Sequence, residues 1–278
     1  MKISIPIRIS NTARVFRCAS ALEMPKLILY VILSAIFISL KIKPKRPLRL
    51  SIAGYRLEFV LSGSSGFGFF SEVVAGDEYR IFRPCLIQAA GAKPVLLDCG
   101  ANSGFFSLWA LKQNPNLEIY AFEPHPVTFS SLRRNIQING QDRHILGVNQ
   151  AIGLEPGVVR MQLRDDTNMA IASDVSQAGH SHPNGEIEIE ITSLDVYCME
   201  RKIRPDYIKI DVEGYEVKAL AGAVEILKHV RGIVVEAHSA DLEDACRDLL
   251  SRAGFEVTQS KSLLLGVRSA KVKPSGMS

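Results

Sequence analysis

Only five of the 278 residues are cysteine, an odd number, widely scattered, and no C-x-x-C pair is present. A disulfide scaffold or a structural zinc site is therefore not expected, and the thiols Cys18, Cys85, Cys99, Cys198 and Cys246 point to a reducing, cytoplasmic compartment. Cys99 sits in an apolar strand pattern and reads as a small buried hydrophobe. An apolar run of bilayer length is also missing. Residues 27–40, LILYVILSAIFISL, fall short of the roughly 20 apolar residues that a spanning helix needs. Lys26 before the run and Lys41, Lys43, Lys45 and Arg46 after it could snorkel and lengthen it, and no small-residue cleavage site follows. A membrane-surface segment and a single-pass anchor both stay open.

A basic face is missing from the body of the chain. Residues 1–50 hold ten Lys/Arg against Glu23 alone, a net +9, which leaves −5 for the rest of a chain whose total is +4. Nucleic acid is not an expected partner, because phosphate contacts need Lys/Arg on the binding face. Residues 1–50 instead read as a basic extension that governs location, followed by one catalytic domain over 51–270 and a flexible tail over 271–278.

What is present after residue 50 is an alternation of β and α patterns. Strand signals at 94–98, 117–122, 144–151, 207–211 and 232–237 alternate with helical signals at 103–113, 126–138, 215–229 and 242–253. A closing antiparallel pair is expected at 255–258 and 263–267. Strands alternating with helices of this length predict an α/β, doubly wound, mostly parallel sheet covered on both faces. Two further half-exposed strands, at 158–163 and in the strictly alternating EIEIEIT of 186–192, flank the polar stretch 164–185. That stretch is rich in turn formers, lacks an apolar period and reads as a mobile insertion, a lid over the acceptor. His180 and His182 within it read as solvated.

The turn after the first strand of the sheet carries Asp98, Gly100, Ala101, Asn102 and Gly104. The third glycine of the dinucleotide fingerprint G-x-G-x-x-G is absent. A carboxylate at Asp98 would repel a pyrophosphate but suits a cationic ligand such as the amino group and sulfonium of S-adenosylmethionine. Glu123, ahead of Pro124 at the end of the second strand, is placed to accept hydrogen bonds from ribose hydroxyls. Small residues around Ala151 leave room for an adenine ring. His125 reads as a solvated loop histidine beside this site.

The runs D-C-G-A-N-S-G-F-F-S from Asp98, F-E-P to Pro124, A-I-G from Ala151, T-S-L-D to Asp195, Y-I-K-I-D-V-E-G-Y-E from Tyr207 and I-V-V-E-A-H to His238 together resemble the FkbM family of S-adenosylmethionine-dependent methyltransferases. The resemblance covers about residues 72–260, and K-I-D-V-E-G-x-E is its most specific part. It implies a seven-stranded sheet with an antiparallel last strand, the cofactor at the carboxyl edge, and O-methylation of sugars, glycolipids or polyketide-like acceptors.

The residues near the acceptor follow from position. Lys209 and Asp211 share a strand face, and Asp211 and Glu213 fall where the strand gives way to a loop at the ligand-binding edge. Glu236 and His238 close the next strand with the same two-residue spacing. On that spacing Glu236 orients the imidazole of His238, which acts as general base with Asp211 or Glu213 as rivals, and the rate falls below about pH 6.5. No metal is required. The alternative gathers Asp211, Glu213, Glu236 and His238 around a divalent cation, Mg or Mn rather than zinc. Two other readings stay open: a nicotinamide-dependent oxidoreductase, and a membrane-tethered protein that keeps the fold without catalysis.

Overall fold

The computed structural model describes residues 15–39, 48–59, 70–88, 93–163, 169–174 and 186–268. The expected tail over 271–278 lies outside them, as does the expected lid over 164–185 apart from residues 169–174. Helix α1 (Met24–Ser39) precedes a hairpin of β1 (Leu48–Ile52) and β2 (Tyr55–Phe59). The expected boundary at residue 50 therefore falls inside β1, whose partner is β2 across the turn Ala53-Gly54. A π-helical turn at Ser71–Ala75 and a 3-10 turn at Glu78–Ile81 lead into α2 (Arg83–Ile87).

The α/β body then runs β3 (Val95–Cys99), α3 (Phe105–Gln113), β4 (Glu118–Phe122), α4 (Pro126–Ile138), β5 (Ile145–Val148), β6 (Ala151–Ile152), β7 (Gly157–Leu163), β8 (Met169–Asp174) and β9 (Glu186–Thr192). It closes with α5 (Leu194–Arg201), β10 (Tyr207–Ile210), α6 (Glu216–Ala221), α7 (Val224–Leu227), β11 (Gly232–Glu236), α8 (Ala240–Arg252), β12 (Glu256–Ser260) and β13 (Leu263–Val267). Seven strands form the main sheet in the order β12-β13-β11-β10-β3-β4-β5. All pairings from β11 to β5 are parallel, and β13 is antiparallel to both its neighbours. The doubly wound sheet with an antiparallel last strand is thus present. It differs from the all-parallel dinucleotide order, which argues against the nicotinamide reading.

Alternation along the strands divides the core between the two faces. Leu96, Ile119, Ala121 and Val234 pack with α1, the hairpin and α3, while Leu97, Cys99, Ile208, Ile210 and Val235 pack on the side that carries Tyr197, Leu220 and Leu250. Helix α3 is apolar all round (FFSLWAL) and buried all round, as expected of a helix inside a core.

A second sheet, β6-β9-β7-β8, follows β5. In β9 the isoleucines Ile189 and Ile191 are buried against Val159, Met161 and Ala151, while Glu188 and Glu190 are exposed, which is the period of a half-covered strand. Strand β8 pairs antiparallel with β7 inside the stretch read from sequence as unstructured. The apolar residues Met169, Ala170 and Ile171 give too short a run to stand out against the polar residues around them.

Two long elements expected from sequence are divided. The strand at 144–151 is split between the two sheets, and the helix at 215–229 breaks at Gly222 into α6 and α7. A Cβ on Gly222 would lie 2.2 Å from the Gly153 carbonyl oxygen, so close backbone packing requires the glycine. Asp195 restarts the helix: its two carboxylate oxygens accept the N–H groups of Glu225 and Ile226, each at 2.9 Å.

Candidate active site

The main chain turns away in opposite directions after β3 and β10, and the carboxyl ends of these neighbouring strands open a crevice. Register places Lys209 directly beside Asp98 across the strand pair. Asp98 is fully buried, accepts a hydrogen bond from Ser107 Oγ at 2.6 Å and has the Lys209 ammonium 3.3 Å from Oδ1. Burial pushes its pKa up, against the opposing pull of Lys209. Lys209 donates to the Gly100 carbonyl at 2.8 Å and lies 3.2 Å from Asp211 Oδ2. Its burial opposes the charge, but Asp211 and Asp98 outweigh that and hold its pKa above the ordinary value.

Gly100 has a left-handed backbone, and a Cβ there would fall 1.7 Å from the Asp211 carbonyl oxygen. No side chain fits between β3 and β10. The turn is pinned further by the N–H groups of Gly100 and Ala101, which both donate to the Phe122 carbonyl. Asn102, at positive φ, caps its own neighbour by accepting from Ser103 N at 2.7 Å. Gly104 follows as the N-cap of α3.

Glu123 is buried at the end of β4, and its carboxylate accepts from Asn102 N at 3.0 Å and His125 N at 2.9 Å. Burial lifts its pKa to about 7, despite those two bonds. Each carboxylate oxygen keeps lone-pair capacity for further donors. His125 is not a solvated loop residue: it is buried, and its Nδ1 caps α4 through Thr128.

These groups border a cleft of about 990 Å³ including its open mouth. Gly100, Ala101, Asn102, Glu123, Pro124 and Ala151 line it, with Asp211 and Glu213, and Phe105, Phe106 and Met161 supply apolar wall. A glycine turn with no space for a Cβ and the ionisable Glu123 make a donor-accepting cradle that fits the ribose-bearing S-adenosylmethionine, while Asp98, fully buried and paired with Lys209, lies behind the turn and not in the cleft wall.

Beyond the cradle, His238 Nε2 lies 3.6 Å from both Asp211 Oδ1 and Glu213 Oε2. The carboxylate that orients its ring is Glu216, fully buried, with Oε1 at 2.8 Å from Nδ1. This corrects the expectation that Glu236 would do so. Strand β11 ends at Glu236, so the two-residue alternation that would have aligned Glu236 with His238 stops there. Glu236 instead accepts from the Tyr79 hydroxyl at 3.1 Å, and the same hydroxyl lies 3.5 Å from Asp211 Oδ2. Burial, then Asp211 and Glu78, raise the Glu236 pKa to about 7.

The bond to Glu216 is the largest influence on His238 and lifts its pKa to about 9, well above the 6.5 expected from sequence. Ligand atoms of Asp211, Glu213 and His238 lie within 4.8 Å of one another, and Glu236 is not part of that group. Tyr79 and Glu216 were missed in the sequence. Glu216 stood in plain view as the final residue of K-I-D-V-E-G-Y-E, whereas Tyr79 comes from a turn with no recognisable motif.

Residues 98–257 match the model of the Methyltransferase FkbM domain. The chain is 25% identical over 201 residues to methyltransferase sdnD of Sordaria araneosa, across 62% of this chain and 77% of that one. It is 32% identical over 177 residues to the 31-O-demethyl-FK506 methyltransferase FkbM of Streptomyces tacrolimicus, across 53% and 66%. A third relative, the hexuronic acid methyltransferase AglP of Haloferax volcanii, is 28% identical over 229 residues, across 78% and 85%. With more than half of its length matched and the cofactor cradle in place, the chain belongs to the FkbM family of S-adenosylmethionine-dependent methyltransferases.

Proposed function

We propose that the chain transfers a methyl group to a hydroxyl of a saccharide, glycolipid or polyketide-like acceptor. The observation that carries this reading is the group formed by His238, Asp211 and Glu213 at the edge of the cradle, because an alcohol must lose its proton as its oxygen is methylated. The names of the relatives, one a hexuronic acid methyltransferase and one a 31-O-demethyl-FK506 methyltransferase, agree with such acceptors.

When bound, S-adenosylmethionine supplies an activated methyl group on a sulfonium centre. The turn from Gly100 to Gly104, backed by the buried Asp98–Lys209 pair, would hold its amino-acid end, Glu123 would accept the ribose hydroxyls, and Pro124 and Ala151 would border the adenine. Glu216 takes the Nδ1 proton of neutral His238 as a hydrogen bond, which leaves the Nε2 lone pair to receive the acceptor's proton. Asp211 and Glu213 stabilise the resulting imidazolium. The phenol of Tyr79, kept neutral by burial and the acids around it, fixes Asp211 and Glu236 from the opposite side.

The test is single-turnover transfer from radiolabelled cofactor to a panel of hexuronosides, hexosides and macrolide alcohols, with matched amines. Label on oxygen is expected; transfer confined to amines overturns the O-methyl reading. A second reading rests on the same three ligand atoms, which fit an oxygen-rich divalent cation with Glu216 orienting the imidazole from behind. Loss of turnover on EDTA treatment, restored by Mg or Mn, selects it. Turnover indifferent to EDTA leaves His238 as the base.

A further inference from the structure

Helix α1 presents two faces with opposite surroundings. Leu27 and Tyr30 are buried in the same core as β1, β3 and α3, with Val31 and Leu33 partly covered beside them. On the opposite side, Ile28, Leu29 and Ile32 are 44%, 50% and 50% exposed, and Leu22 in the turn before the helix is 91% exposed. At 100° per residue, Ile28, Leu29 and Ile32 fall on one stripe, away from Leu27, Tyr30 and Val31. A surface helix normally turns its polar side outward; this one is apolar on both.

The charges around the stripe are predominantly basic. Arg17 and Lys26 are exposed, and the chain leaves the helix into the sequence Lys41-Ile-Lys-Pro-Lys-Arg46. Glu23, the one acid in residues 1–50, is tied to the backbone N–H of Ser20 at 2.8 Å. Among the described residues no helix is long and apolar enough to cross a bilayer, and a spanning α1 would have to pull Leu27 and Tyr30 out of the core.

We propose that the outward stripe of α1 rests in the interface of an anionic bilayer, with the helix axis along the membrane surface and the exposed Arg17 and Lys26 toward the lipid headgroups. An apolar stripe of this kind partitions into the headgroup–acyl boundary, and cationic flanks add attraction that depends on anionic lipid and falls with salt. The catalytic domain is then held to the surface through its own core rather than by a tether. This inference does not depend on the identity of the acceptor.

The experiment is flotation of the full chain with phosphatidylcholine vesicles, with and without phosphatidylserine, over a series of salt concentrations. The parent is expected to float with phosphatidylserine vesicles, less with phosphatidylcholine alone, and less as salt rises. The combined variant Ile28→Glu, Leu29→Glu, Ile32→Glu is expected to stay at the bottom of the gradient, with its thermal melt and its S-adenosylhomocysteine binding kept. Lys26→Glu, a change at an exposed side chain, is a second arm that needs no change to the helix face and should weaken partitioning about tenfold. A parent that does not float with anionic vesicles overturns the proposal, and so does either variant floating as well as the parent. A concentration-dependent dimer that the triple change dissolves, with no vesicle binding by the parent, gives the stripe to a second copy of the chain and overturns it equally.

Discussion

Glu123 carries its charge in a buried place, against two backbone N–H groups, and its pKa of about 7 makes it half protonated in neutral solution. Hydroxyl donors need the ionised form, so S-adenosylhomocysteine should bind more tightly above that pH than below it in calorimetric titrations. Glu123→Gln should flatten this dependence, and Glu123→Ala should weaken binding by about 2–4 kcal/mol. At the acceptor end, the raised pKa of His238 has the opposite consequence for rate: the imidazole is charged below about 9 and serves as a base only in its neutral fraction. The pH profile of kcat/KM should therefore climb through the neutral range and level off near that value. Glu216→Gln removes the main cause of the shift and should move the plateau to lower pH, while His238→Ala should lower kcat by about 10²–10⁴-fold across the range. A parent profile already flat at neutral pH would remove His238 as the base. The place of Glu123 in the cleft was legible in the sequence because it follows a strand at a recognisable turn, whereas the burial of Asp98 against Lys209, out of the cleft wall, was not. The partner of His238 was misread because Glu216 reaches it from another element, and spacing along one strand says nothing about that.

The elements were legible where their period was long and undisturbed. Strands β3, β4, β10 and β11 and helices α3, α4 and α8 lie within a residue or two of the expected positions, since an alternating or helical apolar pattern is a local property. The breaks were not legible. Gly222 interrupts a good helical pattern only because the Gly153 backbone presses against it from another part of the chain, and Asp195 then caps the second half. Asp195→Ala should cost about 1–2 kcal/mol in urea unfolding, the usual worth of such a cap, and leave affinity for S-adenosylhomocysteine unchanged. Gly100→Ala should do the reverse damage. Its methyl group would force β3 and β10 apart at the cradle, so cofactor binding should be lost at concentrations where Asp195→Ala is saturated.

At the scale of the whole molecule, the described part of residues 1–50 packs into the main core. Val15, Leu27, Tyr30 and Leu50 are buried in the main core, and β1 would be cut in two at residue 50. At about 1.5–3 kcal/mol for each buried side chain, their loss is on the order of the whole stability of an ordinary domain. Deleting residues 1–50 should thus leave a chain without a cooperative thermal transition, although every cofactor motif lies after residue 94, a position that by itself suggests a competent, more soluble domain; a truncated chain that melts like the parent would refute this. Lys209 has a comparably wide reach. Its one ammonium group is shared between Asp98, behind the cradle, and Asp211, beside His238. A change of charge in the cleft beside Lys209 is expected to be felt at Asp211 and, through it, at His238. The two halves of the reaction are then joined by thermodynamic reciprocity: whatever the pH does to cofactor affinity must reappear as protons taken up or released when the cofactor binds. Calorimetry in buffers of differing ionisation heat would count those protons directly, and the protons that remain in Glu123→Gln would report how far cofactor loading retunes the base before any acceptor has entered.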